Sequence, residues 1–239
     1  PYLVRRLLEN GANSSFVNRF MDKKVAVEEL MQDCADLVEK ASPRRHGMIS
    51  LPVDILSASG REVGKRKNAT GLELADPVEV DHLLQNMEKA VSEKLVSGPI
   101  VGGKLMIRPT EDVVSPANLK TVVGQVGIAE DSDIDLALSL STAAQKSWDS
   151  LGGKKRADIL NNAADLMEGA RERLMGIIAR EAGRTIADGL SEVREAVDFL
   201  RYYAMQAEAN FAEPILLPGT TGERNELSLH GRGTFLCFR

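Results

Sequence analysis

Arg5 and Arg6 are the first residues of this chain whose type and spacing could do chemistry. Two adjacent guanidinium groups repel unless an anion or carboxylates sit between them, and a pair aimed inward can clamp a carboxylate bidentately. Tyr2, Arg5, Arg6 and Glu9 share one stripe at helical spacing, while Val4, Leu7 and Leu8 form another. On spacing alone, two solvated arginines on an exposed helix are the ordinary outcome. The second candidate is the acidic run from Glu192 to Asp198. Here Glu192, Glu195 and Tyr202 lie near one helix face, away from an apolar stripe of Val193, Ala196, Val197, Leu200 and Ala204. A carboxylate on that face could bind an amine or position a substrate; a solvated acidic face is the common alternative.

Other patterns fail their own context tests. Gly98 to Lys104 fits the first seven positions of a phosphate-binding loop, but Leu105 stands where Ser or Thr must follow. The residues after it read as an extended segment rather than a helix, so a turn is expected here. No glycine-rich dinucleotide fingerprint follows a strand. His46, His82 and His230 are scattered, without the close pairs of metal sites, and no metal is expected. Cys34 and Cys237 belong to no close-spaced set, which fits a reducing cytosol better than a disulfide scaffold. The short basic run Lys65-Arg66-Lys67 reads as a solvated loop.

The elements that must position these residues are mostly helices. Tyr2 to Asn10 reads as a helix stopped by Gly11, and Val25 to Ala41 as a weaker one. From Ser42 to about Asp76 no period is sustained, as in a long irregular connection. Helical spacing resumes from Val78 to Ser97 and stops at Gly98-Pro99. Leu105 to Arg108 and Lys120 to Ile128 are expected as paired strands. Asp131 to Asp133 supply N-cap chemistry for a helix to about Trp148. Helices over Lys154 to Gly169, Arg171 to Ala182 and Ile186 to Asn210 follow, the second stopped by Gly183. Glu226 to Leu229 and Gly233 to Phe238 finish as strands. The class is mixed α/β, predominantly helical, with no complete βαβ unit.

Composition narrows the function classes. The chain has 239 residues, enough for one large domain or two small ones, and 43% hydrophobic content supports a sizeable core. A net charge of −5 argues against a nucleic-acid-binding surface. No apolar run approaches the roughly 18 to 20 residues of a membrane span, and no signal peptide is expected. Pro1 leads directly into a helical pattern, as expected of a piece of something longer.

The two chemistry-bearing passages also carry a family likeness. Tyr2-Leu3-Val4-Arg5-Arg6-Leu7-Leu8-Glu9-Asn10-Gly11, continuing to Arg19, resembles the end of the proline dehydrogenase barrel in the bifunctional proline utilization A (PutA) family. Glu181-Ala182-Gly183-Arg184-Thr185 and the run from Glu192 through Tyr202-Tyr203-Ala204 resemble the start of that family's aldehyde dehydrogenase domain. The order along the chain is the family's order; from about Met21 to Lys104 the likeness is loose. The resemblance implies three parts. These are the last helix of a (β/α)8 flavin barrel over 1–21, a helical or irregular linker over 22–104, and the N-terminal α/β portion of an aldehyde dehydrogenase domain over 105–239.

It further implies FAD-dependent oxidation of L-proline to pyrroline-5-carboxylate, then NAD-dependent oxidation of glutamate semialdehyde to L-glutamate, in the bacterial cytoplasm. Peripheral membrane association of the parent stays open. Carried over by position, Arg5 and Arg6 would bind the proline carboxylate and Tyr2 would pack on its ring. Glu9 and Phe16 would lie toward the flavin. Glu195 would line the aldehyde entrance and pair with the substrate's α-ammonium group, and Glu192 would be structural. Residues 215–229 resemble the arm that aldehyde dehydrogenases use for homo-oligomer contacts. Neither cysteine occupies the nucleophile's position, so no catalytic residue is assigned, and neither cofactor is expected to bind this segment tightly. Phe238 and Arg239 depart from the family's pattern at that point. By itself the segment is expected to be inactive. The competing expectation is a non-catalytic helical interaction module of aldehyde dehydrogenase ancestry.

Overall fold

The structure is a computed structural model that describes residues 4, 16–42, 47–58 and 66–237. The chain divides into two compact units, Pro1–Leu51 and Pro52–Arg239. In the first, α1 spans Phe16–Met21, α2 Val27–Leu30 and α3 Cys34–Lys40. The single helix expected over Val25 to Ala41 is therefore two. Asp33 adopts an extended conformation and its carboxylate accepts from the Ala35 N–H at 2.8 Å, which restarts the chain as a new helix. Arg19 pairs with Glu29 at 2.5 Å across α1 and α2.

The second unit begins with a 3-10 turn, Pro52–Asp54, and α4, Ile55–Ala58, inside the stretch expected to be irregular. Helix α5, Pro77–Ala90, starts on the Asp76 cap, with Pro77 in the first turn where its missing N–H costs nothing. It ends earlier than its spacing suggests. Leu95–Ser97 forms strand β1 instead, because tertiary pairing overrides local helical periodicity. Strands β2, Ile100–Val101, and β3, Lys104–Leu105, close on Gly102 and Gly103, both at positive φ (59° and 77°). Two consecutive left-handed positions make this a glycine hairpin turn, as expected, rather than a phosphate loop.

Strand β5, Asn118–Gly127, pairs antiparallel with β4, Thr110–Ser115, and parallel with β1, giving the sheet order β1-β5-β4. The expected partner segment, Leu105 to Arg108, is thus displaced by Thr110–Ser115. Pro109 cannot donate to a ladder, and the Arg108 guanidinium is held by the carboxylate of Asp133. That residue sits in the first turn of α6, Asp131–Ser150, where it also accepts from the Glu130 N–H at 3.0 Å. The N-cap is Glu130 rather than an aspartate. The Arg108 hydrogen bond first, then that of Glu130, holds the nearly solvent-free Asp133 carboxyl below its ordinary range.

Three helices follow: α7 Gly152–Gly169, α8 Arg171–Ala182 and α9 Ile186–Phe211. Gly183 caps α8 in the left-handed conformation (φ 64°), as its position predicts. Helices α7 and α9 run side by side in opposite directions. Gly153, at the start of α7, lies so close to the end of α9 that a Cβ there would fall 2.2 Å from the Ala207 carbonyl oxygen. The core joins Leu83 and Met87 of α5, Ala164 of α7, Met175 of α8, and Leu190, Val193 and Val197 of α9, with Ala69 from the connecting segment. Each fully buried large apolar side chain contributes on the order of 2 kcal/mol.

Past α9, β6 (Ile215–Leu217) pairs with β7 (Asn225–Leu227) as an exposed hairpin. Of the two strands expected from Glu226 onward, the first starts one residue earlier and ends two residues earlier. The second, from Gly233, is not strand among the described residues. The stretch around it is held by α6 side chains instead. Gln145 donates to the Gly231 carbonyl, Asp149 accepts from the Gly231 N–H at 2.7 Å, and Ser141 meets Thr234. No helix among the described residues is long and apolar enough to cross a membrane.

Candidate functional site

Helix α9 carries two stripes. Val193, Val197 and Ala204 point into the core, and Glu195, Asp198, Phe199 and Tyr202 line an open cleft of about 330 Å³. The second set stands at i, i+3, i+4 and i+7, so one helix face presents two carboxylates and two aromatic rings together. The opposite wall is Arg66, from the segment before α5. The cleft falls within the range of about 300 to 1,000 Å³ typical of small-molecule sites. Tyr203 extends the aromatic surface, stacked on Phe199 with 6.1 Å between ring centres and edge-on to Tyr202 at 5.2 Å.

Carboxylates hold that opposite wall in place. Asp198 accepts from the Ala69 N–H at 2.8 Å, and Arg66 Nη1 reaches the Asp198 carbonyl at 3.3 Å and its carboxylate at 3.5 Å. One residue further on, the Thr70 N–H donates to Glu168 Oε1 of α7 at 2.6 Å. The other oxygen of Glu168 accepts from Arg201 Nη2 at 2.6 Å, and the same nitrogen reaches Asp165 at 2.9 Å. Residues 66–70 therefore form a strap tied to α9 by Asp198 and to α7 by Glu168. Burial opposes ionisation of Glu168, but the hydrogen bonds from Thr70 and Arg201 outweigh it and hold its pKa at about 2. Arg201 is only 5% exposed. Desolvation works against its charge, yet the hydrogen bonds to Glu168 and Asp165 prevail and raise its pKa.

Of the residues singled out in the sequence, Glu195 and Tyr202 come together in this cleft. Glu192 does not. It turns toward Arg184, 3.7 Å away, beside a separate groove between α8 and α9. Tyr2, Arg5, Arg6, Glu9 and His46 lie outside the described residues, as does the side chain of Phe16, the first residue of α1. His230 engages Asp149 at 2.7 Å and Cys237 is exposed. Among the described residues, no group of three or more His, Cys, Asp or Glu side chains is placed to hold a metal ion.

Sequence reasoning gave no role to Asp198, which closes the acidic run it singled out, nor to Phe199 or Arg66. The first two were within reach, because extending the helical stripe from Glu195 to Tyr202 passes through both. Arg66 sat in a charge run read as a solvated loop; its side chain is instead largely buried. The described lining combines two carboxylates, a guanidinium and two aromatic rings. Glu195 suits an ammonium group and the rings suit a methylene chain.

Residues 107–236 match the aldehyde dehydrogenase family model. The chain is 38% identical over 216 residues to the bifunctional protein PutA of Klebsiella aerogenes, covering 88% of this chain and 16% of that protein. It is 28% identical over 171 residues to a 1-pyrroline-5-carboxylate dehydrogenase of Staphylococcus haemolyticus, covering 70% of this chain and 33% of the relative. A crystal structure of a bifunctional proline utilization A (PutA) protein superposes with a TM-score of 0.71 at 33% identity, over 97% of this chain and 20% of that one. The chain thus spans about a sixth of the length of the PutA relative.

Proposed function

This chain belongs to the aldehyde dehydrogenase family, and on that premise we propose that it is the junction of a two-step proline-catabolic enzyme of the bacterial cytoplasm. In that enzyme, FAD-dependent oxidation turns L-proline into pyrroline-5-carboxylate. Hydrolysis gives glutamate semialdehyde, and an NAD-dependent site oxidises it to L-glutamate. Residues 1–21 would close the flavin barrel, 22–104 would link, and 105–239 would open the dehydrogenase domain. Relatives named for the bifunctional protein and for pyrroline-5-carboxylate dehydrogenase support this reading.

The observation that carries it is the placement of Glu195 beside Phe199 and Tyr202 in one cleft. An exposed carboxylate against aromatic rings fits an aldehyde that bears an ammonium group, which ordinary aliphatic aldehydes lack. Arg5 and Arg6 would clamp the proline carboxylate, with Tyr2 on the ring and Glu9 and Phe16 toward the flavin. The parent would assemble as a homo-oligomer through 215–229. In support, β6 and β7 expose Ile215, Leu216, Leu217 and Leu227, and a lone two-stranded hairpin is marginal until something covers it. The isolated segment would turn over neither substrate.

The test is expression of the complete reading frame that contains this chain, with proline-dependent dye reduction and semialdehyde-dependent NADH formation measured separately. Arg5→Met with Arg6→Met should raise the KM for proline and leave the aldehyde step intact. Glu195→Gln should raise the KM for glutamate semialdehyde about tenfold, the loss of one charge-assisted contact, while an aldehyde without an ammonium group is little affected. Absence of both activities, or unchanged KM values in both variants, overturns the proposal.

A further inference from the structure

Helix α8 is pinned at two points, and between them it leaves a cavity against the three-stranded sheet. At Gly176 it presses on the end of α5, where a Cβ would lie 3.0 Å from Val91 Cγ1 and 3.2 Å from the Met87 carbonyl oxygen. At Gly183 it meets the turn between β4 and β5, where a Cβ would come within 2.9 Å of Pro116 Cγ. With both ends in close contact, α8 cannot sink further to fill the space beside it. The cavity measures about 390 Å³ and is walled by Val91, Leu95, Val113, Val123 and Ile177. Its lining holds no aromatic ring, so it suits a flexible methylene chain better than a flat ring.

The charged groups come from α8 itself. Arg173, Ile177 and Arg180 fall at i, i+4 and i+7, so the two arginines flank the isoleucine, about 10 Å apart along the axis. Arg180 is held in place, because its Nη1 donates to the Val91 carbonyl at 2.5 Å. Its Nε and Nη2 have no partner among the described residues, and that edge is the one that grips a carboxylate bidentately. Arg173 makes no hydrogen bond or ion pair among the described residues. Glu181 shares the lining and is likewise unpaired there. The two arginines and Glu181 together leave one positive charge in excess, which favours a monoanion over a dianion. Past Arg180 the surface continues as a polar trough with Glu93, Lys94 and Thr121, which keeps that end of the cavity wet.

We propose that this cavity binds an aliphatic monocarboxylate of medium chain length, with its chain on the aliphatic walls and its carboxylate on the free edge of Arg180. Arg173 supplies a second positive charge at longer range. Aliphatic walls and a fixed cation are the two elements such an amphipathic anion needs, an apolar enclosure and one well-placed polar anchor. The cavity shares no lining residue with the cleft on α9, so the inference goes beyond the reading of Glu195 and stands or falls separately from it.

The test uses the protein made from the complete reading frame, with octanoate, octanol (no charge), octylammonium (opposite charge) and acetate (no chain) as probes. Calorimetric titration gives the affinities, and hydrogen exchange of peptides covering 92–97 and 173–181 reports the place of binding. Octanoate should bind and protect both peptides. Octanol should bind about tenfold more weakly, the loss of one charge-assisted contact, and octylammonium and acetate more weakly still. Arg180→Gln should remove the preference for octanoate over octanol. Arg180→Lys, which keeps the charge but not the fork, should recover part of it and separates lost recognition from lost packing. Ile177→Trp and Val113→Phe, which fill the cavity from opposite walls, should each abolish binding of both eight-carbon probes. Equal affinity for octanol and octanoate, or a preference that survives Arg180→Gln, overturns the proposal. So does octanoate binding undiminished in both filled variants, or binding to anionic lipid vesicles with none to free octanoate.

Discussion

Replacing Glu168 with glutamine should destabilise the second unit strongly at neutral pH and progressively less in acid. The carboxylate holds the strap through Thr70 and neutralises Arg201, which is nearly solvent-free. Its pKa lies at about 2 instead of 4.5. A carboxylate whose folded pKa is depressed contributes stability that is complete above the unfolded value and is lost as pH falls through the folded one. The difference corresponds to about 3 kcal/mol at pH 7 and to roughly 1 kcal/mol at pH 3. Asp165, which still accepts from Arg201 in the variant, lowers the expected loss at pH 7 to about 2 to 3 kcal/mol, its own exposure limiting the compensation. Urea unfolding at pH 7, 5, 4 and 3, read by far-UV circular dichroism and by the fluorescence of Trp148, measures it. The gap between native chain and Glu168→Gln should be largest at pH 7 and close steadily below pH 4.5. A gap that is absent at pH 7, or that persists undiminished at pH 3, refutes the claim that Glu168 is ionised and holds the strap.

Three further perturbations follow from the packing. Gly153→Ala places a methyl 2.2 Å from the Ala207 carbonyl and 2.6 Å from the Ala212 nitrogen. Both are backbone atoms that cannot step aside, so a loss of about 3 kcal/mol or more in urea unfolding is expected. Gly124→Ala would drive its methyl to 2.8 Å from the Leu95 carbonyl; hydrogen exchange should show β1 losing protection while α7 and α9 keep theirs. Asp149→Asn should loosen the segment after β7. The Gly231 N–H first, then His230, holds that carboxyl below its ordinary range, so the Gly231 amide should exchange faster in the variant at pH 7. In the native chain, the same loosening should appear only as pH falls through the depressed pKa of Asp149.

Long helices with a clear apolar stripe were legible from sequence because their own residues dictate them. Helices α6 to α9 fall close to the expected spans, and Gly183 stops α8 for a local reason, its left-handed backbone. Strand pairing was less so. Nothing local marks Thr110–Ser115 as the partner of β5, or turns Leu95–Ser97 from helix to strand; both depend on residues distant in sequence. The site divides similarly. Glu195 and Tyr202 could be placed on one face by periodicity, whereas Arg66 reaches them across 132 positions of chain through Asp198, and no spacing rule spans that distance. Arg201 did leave a trace, as a charged residue on the stripe of Val193, Val197 and Ala204, a position that demands buried partners.

The strap has a practical consequence for anyone dissecting the polypeptide. A fragment started at residue 105 would keep α7, α8 and α9 but lose Ala69, Leu83 and Met87 from the cluster they seal. It would also strip the amide donors from Glu168 and Asp198. Such a piece would present raw aliphatic surface and orphaned carboxylates, so it should precipitate or associate rather than stay monodisperse. A cut ahead of Pro52, at the border of the second unit, leaves every one of those partners on the same side of the scissors.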